Sequence, residues 1–110
     1  MSGIVGHDTV SAVHRLDDLR RALRARLPEL YERYGVRWLG VFGSYVRGEQ
    51  SEESDLDLLV EFDERPLGLL QFIALEDELS DALGVKVDLV EKSALKPAIG
   101  RRILAEVAPV

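Results

Sequence analysis

Gly43-Ser44-Tyr45-Val46-Arg47-Gly48-Glu49-Gln50-Ser51-Glu52-Glu53-Ser54-Asp55-Leu56-Asp57 is the stretch on which the reading of this chain turns. Before it stands Val36-Arg37-Trp38-Leu39-Gly40-Val41-Phe42, a short run rich in β-branched and aromatic residues that predicts a strand ended by Gly43. The polar residues Ser44 to Ser54 read as a turn or short helix followed by a loop. Asp55 to Phe62 predicts a second strand, with Leu56, Leu58, Val60 and Phe62 on one face and Asp55, Asp57, Leu59 and Glu61 on the other. A glycine at a strand end lets the backbone come close to a bulky anion, because no side chain intervenes. The serine after it adds a hydroxyl and an amide at a helix start, where phosphate binds well. Asp55 and Asp57 repel each other on one face unless water or a cation relieves them, and hard carboxylate oxygens suit Mg²⁺. Taken singly, these features also describe an ordinary strand-to-helix turn and a solvated acidic edge.

Outward from this stretch the pattern becomes helical. Leu16, Leu19, Leu23, Leu27, Leu30 and Tyr34 recur at spacings of three and four. They predict a helix over about residues 9–26, capped by Asp8 or Thr9. Pro28 predicts a break and a short second helix from Pro28 to Tyr34, closed by Gly35. Arg65-Pro66 interrupts the second strand, and Gly68 to Leu83 reads as an amphipathic helix stopped by Gly84. Val85 to Val90 predicts a third strand, in which Asp88 breaks an otherwise apolar run. A last helix lies within Ser93 to Val107. The predicted fold class is α/β (α+β), a small mixed three-stranded sheet flanked by helices, in a single domain over residues 1–110 with its core at about 27–107. The helix between the second and third strands is long enough to return the chain for parallel pairing. If the second and third strands are neighbours, Asp88 can lie beside the Asp55 and Asp57 face, and three acids on adjacent strands can hold two metal ions for in-line displacement at phosphorus. The alternative is a surface aspartate paired with Lys86 or Lys92.

Composition narrows the function classes. The 110 residues include no cysteine, which excludes disulfides, thiolate catalysis and Cys-based zinc sites. The net charge of -6 argues against sequence-independent nucleic-acid binding, so no direct nucleic-acid partner is expected. No apolar run approaches the roughly 20 residues of a membrane span, and residues 1–8 lack a signal-peptide pattern, so the expectation is a cytoplasmic protein with no membrane partner. His7 and His14 have no motif around them and are expected at the surface.

Taken together, Gly43-Ser44, Arg47-Gly48 and Ser54-Asp55-Leu56-Asp57-Leu58-Leu59-Val60 resemble the signature of the DNA-polymerase-β-like nucleotidyltransferase superfamily. Within it the chain is most similar to the minimal nucleotidyltransferases, the MNT or MntA-like antitoxins. Val87-Asp88-Leu89-Val90 and Lys92-Ser93-Ala94-Leu95-Lys96-Pro97 resemble the tail of that family. The resemblance covers about Leu27 to Val107 and implies the nucleotidyltransferase fold. It implies that Gly43 and Ser44 hold the triphosphate of ATP, that Asp55 and Asp57 bind two Mg²⁺ ions, and that Asp88 completes the metal site and helps deprotonate an attacking hydroxyl. Arg47 would touch phosphate or brace the loop through a salt bridge to Glu49 or Asp55. The implied biology is AMP transfer from ATP to a tyrosine of a HEPN-domain ribonuclease toxin, within a hetero-oligomer. Two alternatives stand beside it: a small-molecule, aminoglycoside-like nucleotidyltransferase, and a non-catalytic antitoxin acting by binding alone. Ile103 to Val110 and the first helix are the candidate partner surfaces, although their periodicity favours core packing for both. Tyr45 is placed to stack on a base, accept a nucleotide or pack, and packing is the expected use.

Overall fold

The computed structural model describes residues 15–65 and 67–110. Helix α1, Leu16–Tyr34, buries Leu19, Leu23 and Leu30 along one stripe. Asp17 and Asp18 in its first turn and Arg33 in its last complement the helix dipole, and Gly35 caps it in the left-handed conformation. The expected break at Pro28 does not occur, and a single helix runs through it. An interior proline costs roughly 3 kcal/mol and leaves a carbonyl without its amide. Leu23 and Leu30 are wholly buried on either side of Pro28, and their burial outweighs that cost. The helix is described from Leu16, after an extended Arg15; the expected caps Asp8 and Thr9, and His7 and His14, lie outside the described residues, as does Pro66.

Strand β1 (Val36–Phe42) leads through the single-turn helix α2 (Ser44–Arg47) to β2 (Leu56–Phe62), helix α3 (Leu69–Leu83) and β3 (Val87–Glu91). A 3₁₀ turn at Lys92–Ala94, helix α4 (Pro97–Glu106) and the two-residue strand β4 (Ala108–Pro109) follow. The sheet order is β3-β2-β1-β4, with β1 antiparallel to β2 and to β4, and β2 parallel to β3. The sheet is therefore mixed, as expected, but has four strands rather than three. Two residues, one of them proline, carry no strand periodicity. Their pairing comes from tertiary closure: the Val110 amide donates to the Leu39 carbonyl at 3.1 Å, and Arg20 and Arg24 donate to the carbonyls of Pro109 and Val110. Part of the proposed landing surface, Ile103 to Val110, is thus a sheet edge.

One sheet face is the core. Leu39, Val41, Leu56, Leu58, Val60, Val87 and Leu89 pack against the leucines of α1 and α3. Glu78 of α3 ties the two helices by accepting from Tyr34 and Arg33, each at 2.8 Å. The outer edge of β3 is covered by the same helix: the Val87 amide donates to Ser80 Oγ at 2.9 Å and the Leu89 amide to a Glu76 carboxylate oxygen at 2.8 Å. Edge amides satisfied in this way hold β3, and Asp88 between them, in place. The opposite face carries Trp38, Gly40, Phe42, Asp57 and Leu59, and α4 borders a cleft beside Phe42 and Asp57. Val107 lies so near Gly40 that a Cβ there would stand 2.5 Å from Val107 Cγ2.

Because Pro28 is exposed and interrupts the α1 hydrogen-bond ladder, Pro28→Ala is expected to stabilise the protein. The restored bond offsets the extra freedom of the unfolded chain, for a net gain of about 1–2 kcal/mol. Thermal melting should show a rise of several degrees; an unchanged or lower midpoint would mean that the proline is accommodated without cost.

Candidate active site

The strand β1 ends at Gly43, whose φ of 83° and ψ of -151° belong to a region that side chains other than hydrogen avoid. The turn brings its Cα against the next strand: a Cβ on Gly43 would lie 2.1 Å from Asp57 Oδ2. Only glycine satisfies both constraints. The Gly43 carbonyl accepts from the amides of Val46 and Arg47 at 3.1 and 3.2 Å, starting α2, and Gly48 ends it with φ 73°. Ser44 is half-buried at the first position of that turn. Tyr45 is buried in the core cluster, where burial and the nearby Asp55 push its hydroxyl pKa up, so it packs as expected. The loop beyond closes on itself, with the Ser51 amide donating to Ser54 Oγ at 2.9 Å and the Ser54 amide to the Ser51 carbonyl at 3.1 Å.

Asp57 faces Phe42 on one side and Asp88 on the other, in direct register with each. Leu56 anchors this end of β2 to β3, its amide donating to the Lys86 carbonyl at 2.8 Å. Asp88 forms no ion pair with Lys86 or Lys92 among the described residues, and Lys92 instead lies over the Trp38 ring. Asp57 is half-buried, whereas Asp55 and Asp88 are exposed. Burial, and then the charges of Asp88 and Asp55, push the Asp57 pKa up to about 6, with Arg47 opposing weakly. A carboxylate so placed is electrostatically under-compensated, which is the condition a bound cation relieves.

Asp57 also opens onto a cleft of about 340 Å³ bordered by Gly43, Arg47, Arg102, Ile103 and Glu106. Arg47 is engaged by two carboxylates: its Nε donates to Glu49 at 3.0 Å and a terminal nitrogen to Glu106 Oε1 at 3.0 Å. The expected Glu49 bridge is present; Asp55 is not a partner, and Glu106 is one that sequence reasoning missed. Glu106 Oε2 accepts the Gly43 amide at 2.7 Å, and that bond, with Arg47, holds its carboxyl below the usual range. Ser44, Asp55 and Asp88 are not among the residues lining this cleft. A larger cleft of about 470 Å³, between Glu61, Arg65 and Lys92, lies at the other end of β2 and contains none of the candidate residues.

Among the described residues no three carboxylates or histidines converge into a ready-made metal cage. The pair Asp57 and Asp88 nevertheless fits Mg²⁺, which is ordinarily held by one or two carboxylates and completed by water and substrate phosphates.

A family model described as "Nucleotidyltransferase domain" matches residues 19–108. The chain belongs to the nucleotidyltransferase domain family. Protein adenylyltransferase MntA of Thermococcus cleftensis is 52% identical over 99 residues, covering 90% of this chain and 99% of that one. A solved structure described as a minimal nucleotidyltransferase, an assignment its own description leaves provisional, superposes with a TM-score of 0.73 at 41% identity, over 88% of this chain and 97% of that one. A toxin–antitoxin structure with AMP-PNP shares the fold at a TM-score of 0.68 and 22% identity, over 82% of this chain and 70% of that one. The Shewanella oneidensis MNT antitoxin in complex with a tri-AMPylated HEPN toxin does so at 0.62 and 18%, over 84% and 69%. This nucleotidyltransferase is thus of the minimal kind, and the resemblance carried by Gly43-Ser44 and Asp55-Leu56-Asp57 is borne out at the level of family and fold.

The Asp57 pKa sets a pH signature. Its native value, raised from 3.8 to about 6, means that the unfolded chain releases this proton first as pH rises. Stability from this group is full below the unfolded value and is lost through the native one. Asp57→Asn removes that dependence. The variant is expected to melt close to wild type near pH 4 and increasingly above it through pH 6, levelling off beyond pH 7. A stability difference that shrinks with rising pH would contradict the electrostatic account.

Proposed function

We propose that the protein transfers AMP from ATP, with Mg²⁺, to a tyrosine hydroxyl of a HEPN-domain ribonuclease toxin, and so acts as its cytoplasmic antitoxin. The observation that carries this reading is the close approach of Gly43 to Asp57, with Asp88 in register beside it. It puts the glycine turn that leads into Ser44 next to an under-compensated carboxylate pair. The similarity to a protein adenylyltransferase over nearly the full length of both chains supports a protein acceptor rather than an aminoglycoside. The shared fold with an MNT antitoxin bound to an AMPylated HEPN toxin supports the partner.

In this reading Ser44 and the turn after Gly43 receive the triphosphate, and Arg47 and Arg102 border the adjoining cleft onto which Gly43 and Asp57 open. Asp57 and Asp88, with Asp55 beside them, would hold Mg²⁺, which when bound neutralises phosphate charge. The acceptor oxygen attacks the α-phosphorus, its O–H proton passes to the Asp88 carboxylate, the new O–P bond forms, and the bond to the bridging oxygen breaks to release pyrophosphate. Most of the rate gain comes from positioning and charge compensation. The exposed Asp88 suits proton acceptance, because an acceptor carried by a partner protein must reach it from solvent.

Co-expressed with a HEPN-domain partner and given ATP labelled at the α-phosphate, the protein is expected to label the partner only when Mg²⁺ is present. Asp57→Asn should lower that transfer at least about a hundredfold. Transfer of label from the γ-phosphate, labelling of an aminoglycoside in place of protein, or full activity in the variant would sink this reading.

A further inference from the structure

Glu106 is the last residue of α4, where a negative charge faces the negative end of the helix dipole. No basic residue occupies the last turn to offset it. Arg102, one turn earlier on the same helix, offsets the charge in part, and the direct bonds come from beyond the end of β1: Oε2 takes the Gly43 amide at 2.7 Å, and Oε1 takes Arg47 at 3.0 Å. One side chain therefore spans both ends of the segment Gly43 to Arg47, fixing the glycine turn and the guanidinium at a constant separation. Charge-assisted bonds of this kind are shorter and stronger than neutral ones.

The other end of the brace is fixed too. Immediately after Glu106, Val107 packs on Gly40, Ala108 and Pro109 pair with Val41 and Gly40, and Arg20 grips the Pro109 carbonyl. Glu106 is thus mounted on a closed sheet edge rather than on a free helix end. It borders the same cleft as Asp57 and Arg102.

We propose that Glu106 is a positioning residue for the nucleotide: it holds the Gly43 turn and Arg47 in one fixed relation to Asp57, so that the surface receiving phosphate is preformed. The inference rests on the nucleotidyl-transfer reading above. Preorganisation lowers the ordering cost of binding, so its loss falls mainly on affinity. Glu106 touches no reacting atom and acts through Gly43 and Arg47.

Two readouts test it on the full chain. The first is hydrogen exchange of the Gly43 amide by NMR, without nucleotide. In Glu106→Ala it is expected to speed up at least about tenfold while the core amides of Leu58 and Val60 keep their protection; Glu106→Gln retains an acceptor and should restore most of it. The second is Mg²⁺–ATP affinity and turnover. Glu106→Ala should raise KM and the Kd of a non-hydrolysable ATP analogue about tenfold with kcat changed under about threefold, and its effect should shrink in an Arg47→Ala background. Unchanged or tighter nucleotide binding by Glu106→Ala, against a wild type that binds, would overturn the positioning role alone; tighter binding would mark the carboxylate as a competitor for phosphate. Failure of wild type to bind nucleotide at all would overturn the functional reading and this role with it. If Glu106→Ala does not fold, Glu106→Gln, which cannot ion-pair with Arg47, must still raise KM; an unchanged value overturns the proposal.

Discussion

Asp57 stands on a strand whose other members at this end have nowhere else to go. Leu56, Leu58 and Val60 on the core face, and Leu59 on the other, are wholly excluded from water on either side of the carboxylate. Packing that complete fixes the register with β1 and with β3 to the residue, because a slip by one position would drive the core leucines to the other face. The register in turn puts Phe42 on one side of Asp57 and Asp88 on the other, and it delivers Gly43 into contact with the Asp57 carboxylate. The geometry of the candidate site is a consequence of core packing one residue away from it.

Electrostatics then gives the geometry its use. Asp57, Asp88 and Asp55 gather negative charge at one end of two parallel strands, in a protein whose net charge is -6. Arg47 and Arg102 border the same cleft, but Arg47 is already shared between Glu49 and Glu106. The carboxylate pair is left short of positive charge while the glycine turn and arginines are suited to anions. A divalent cation with a polyphosphate would satisfy both at once, the phosphates supplying the ligands that the protein alone lacks.

Much of this was legible in the sequence, for local reasons. Alternation in Asp55–Phe62 gave the strand and its two faces, the run after Gly68 gave α3, and Gly35 and Gly84 mark helix ends where left-handed geometry is needed. Asp88 beside Asp57 followed from one inference, that a helix between two strands returns the chain parallel, and the register bears it out. Pro28 is a local helix breaker that the burial of Leu23 and Leu30 around it overrides. Strand β4 and Glu106 were invisible because nothing near them in sequence marks their partners: Gly43 is 63 residues from Glu106, and Arg20 is 89 from Pro109. The one available hint was an acid at a helix C-terminus, a local mismatch that tertiary contacts repay.

The central claim is that Asp57 and Asp88 together receive a metal bound to nucleotide phosphates. A crystal structure with Mn²⁺ and a non-hydrolysable ATP analogue tests it most directly, since Mn²⁺ is located by its anomalous scattering. A metal peak bonded to carboxylate oxygens of Asp57 and Asp88 is expected, with the triphosphate running over Ser44 and the Gly43 turn. Metal and nucleotide bound elsewhere, for instance in the cleft between Glu61 and Lys92, or phosphates lying away from Gly43, would contradict it.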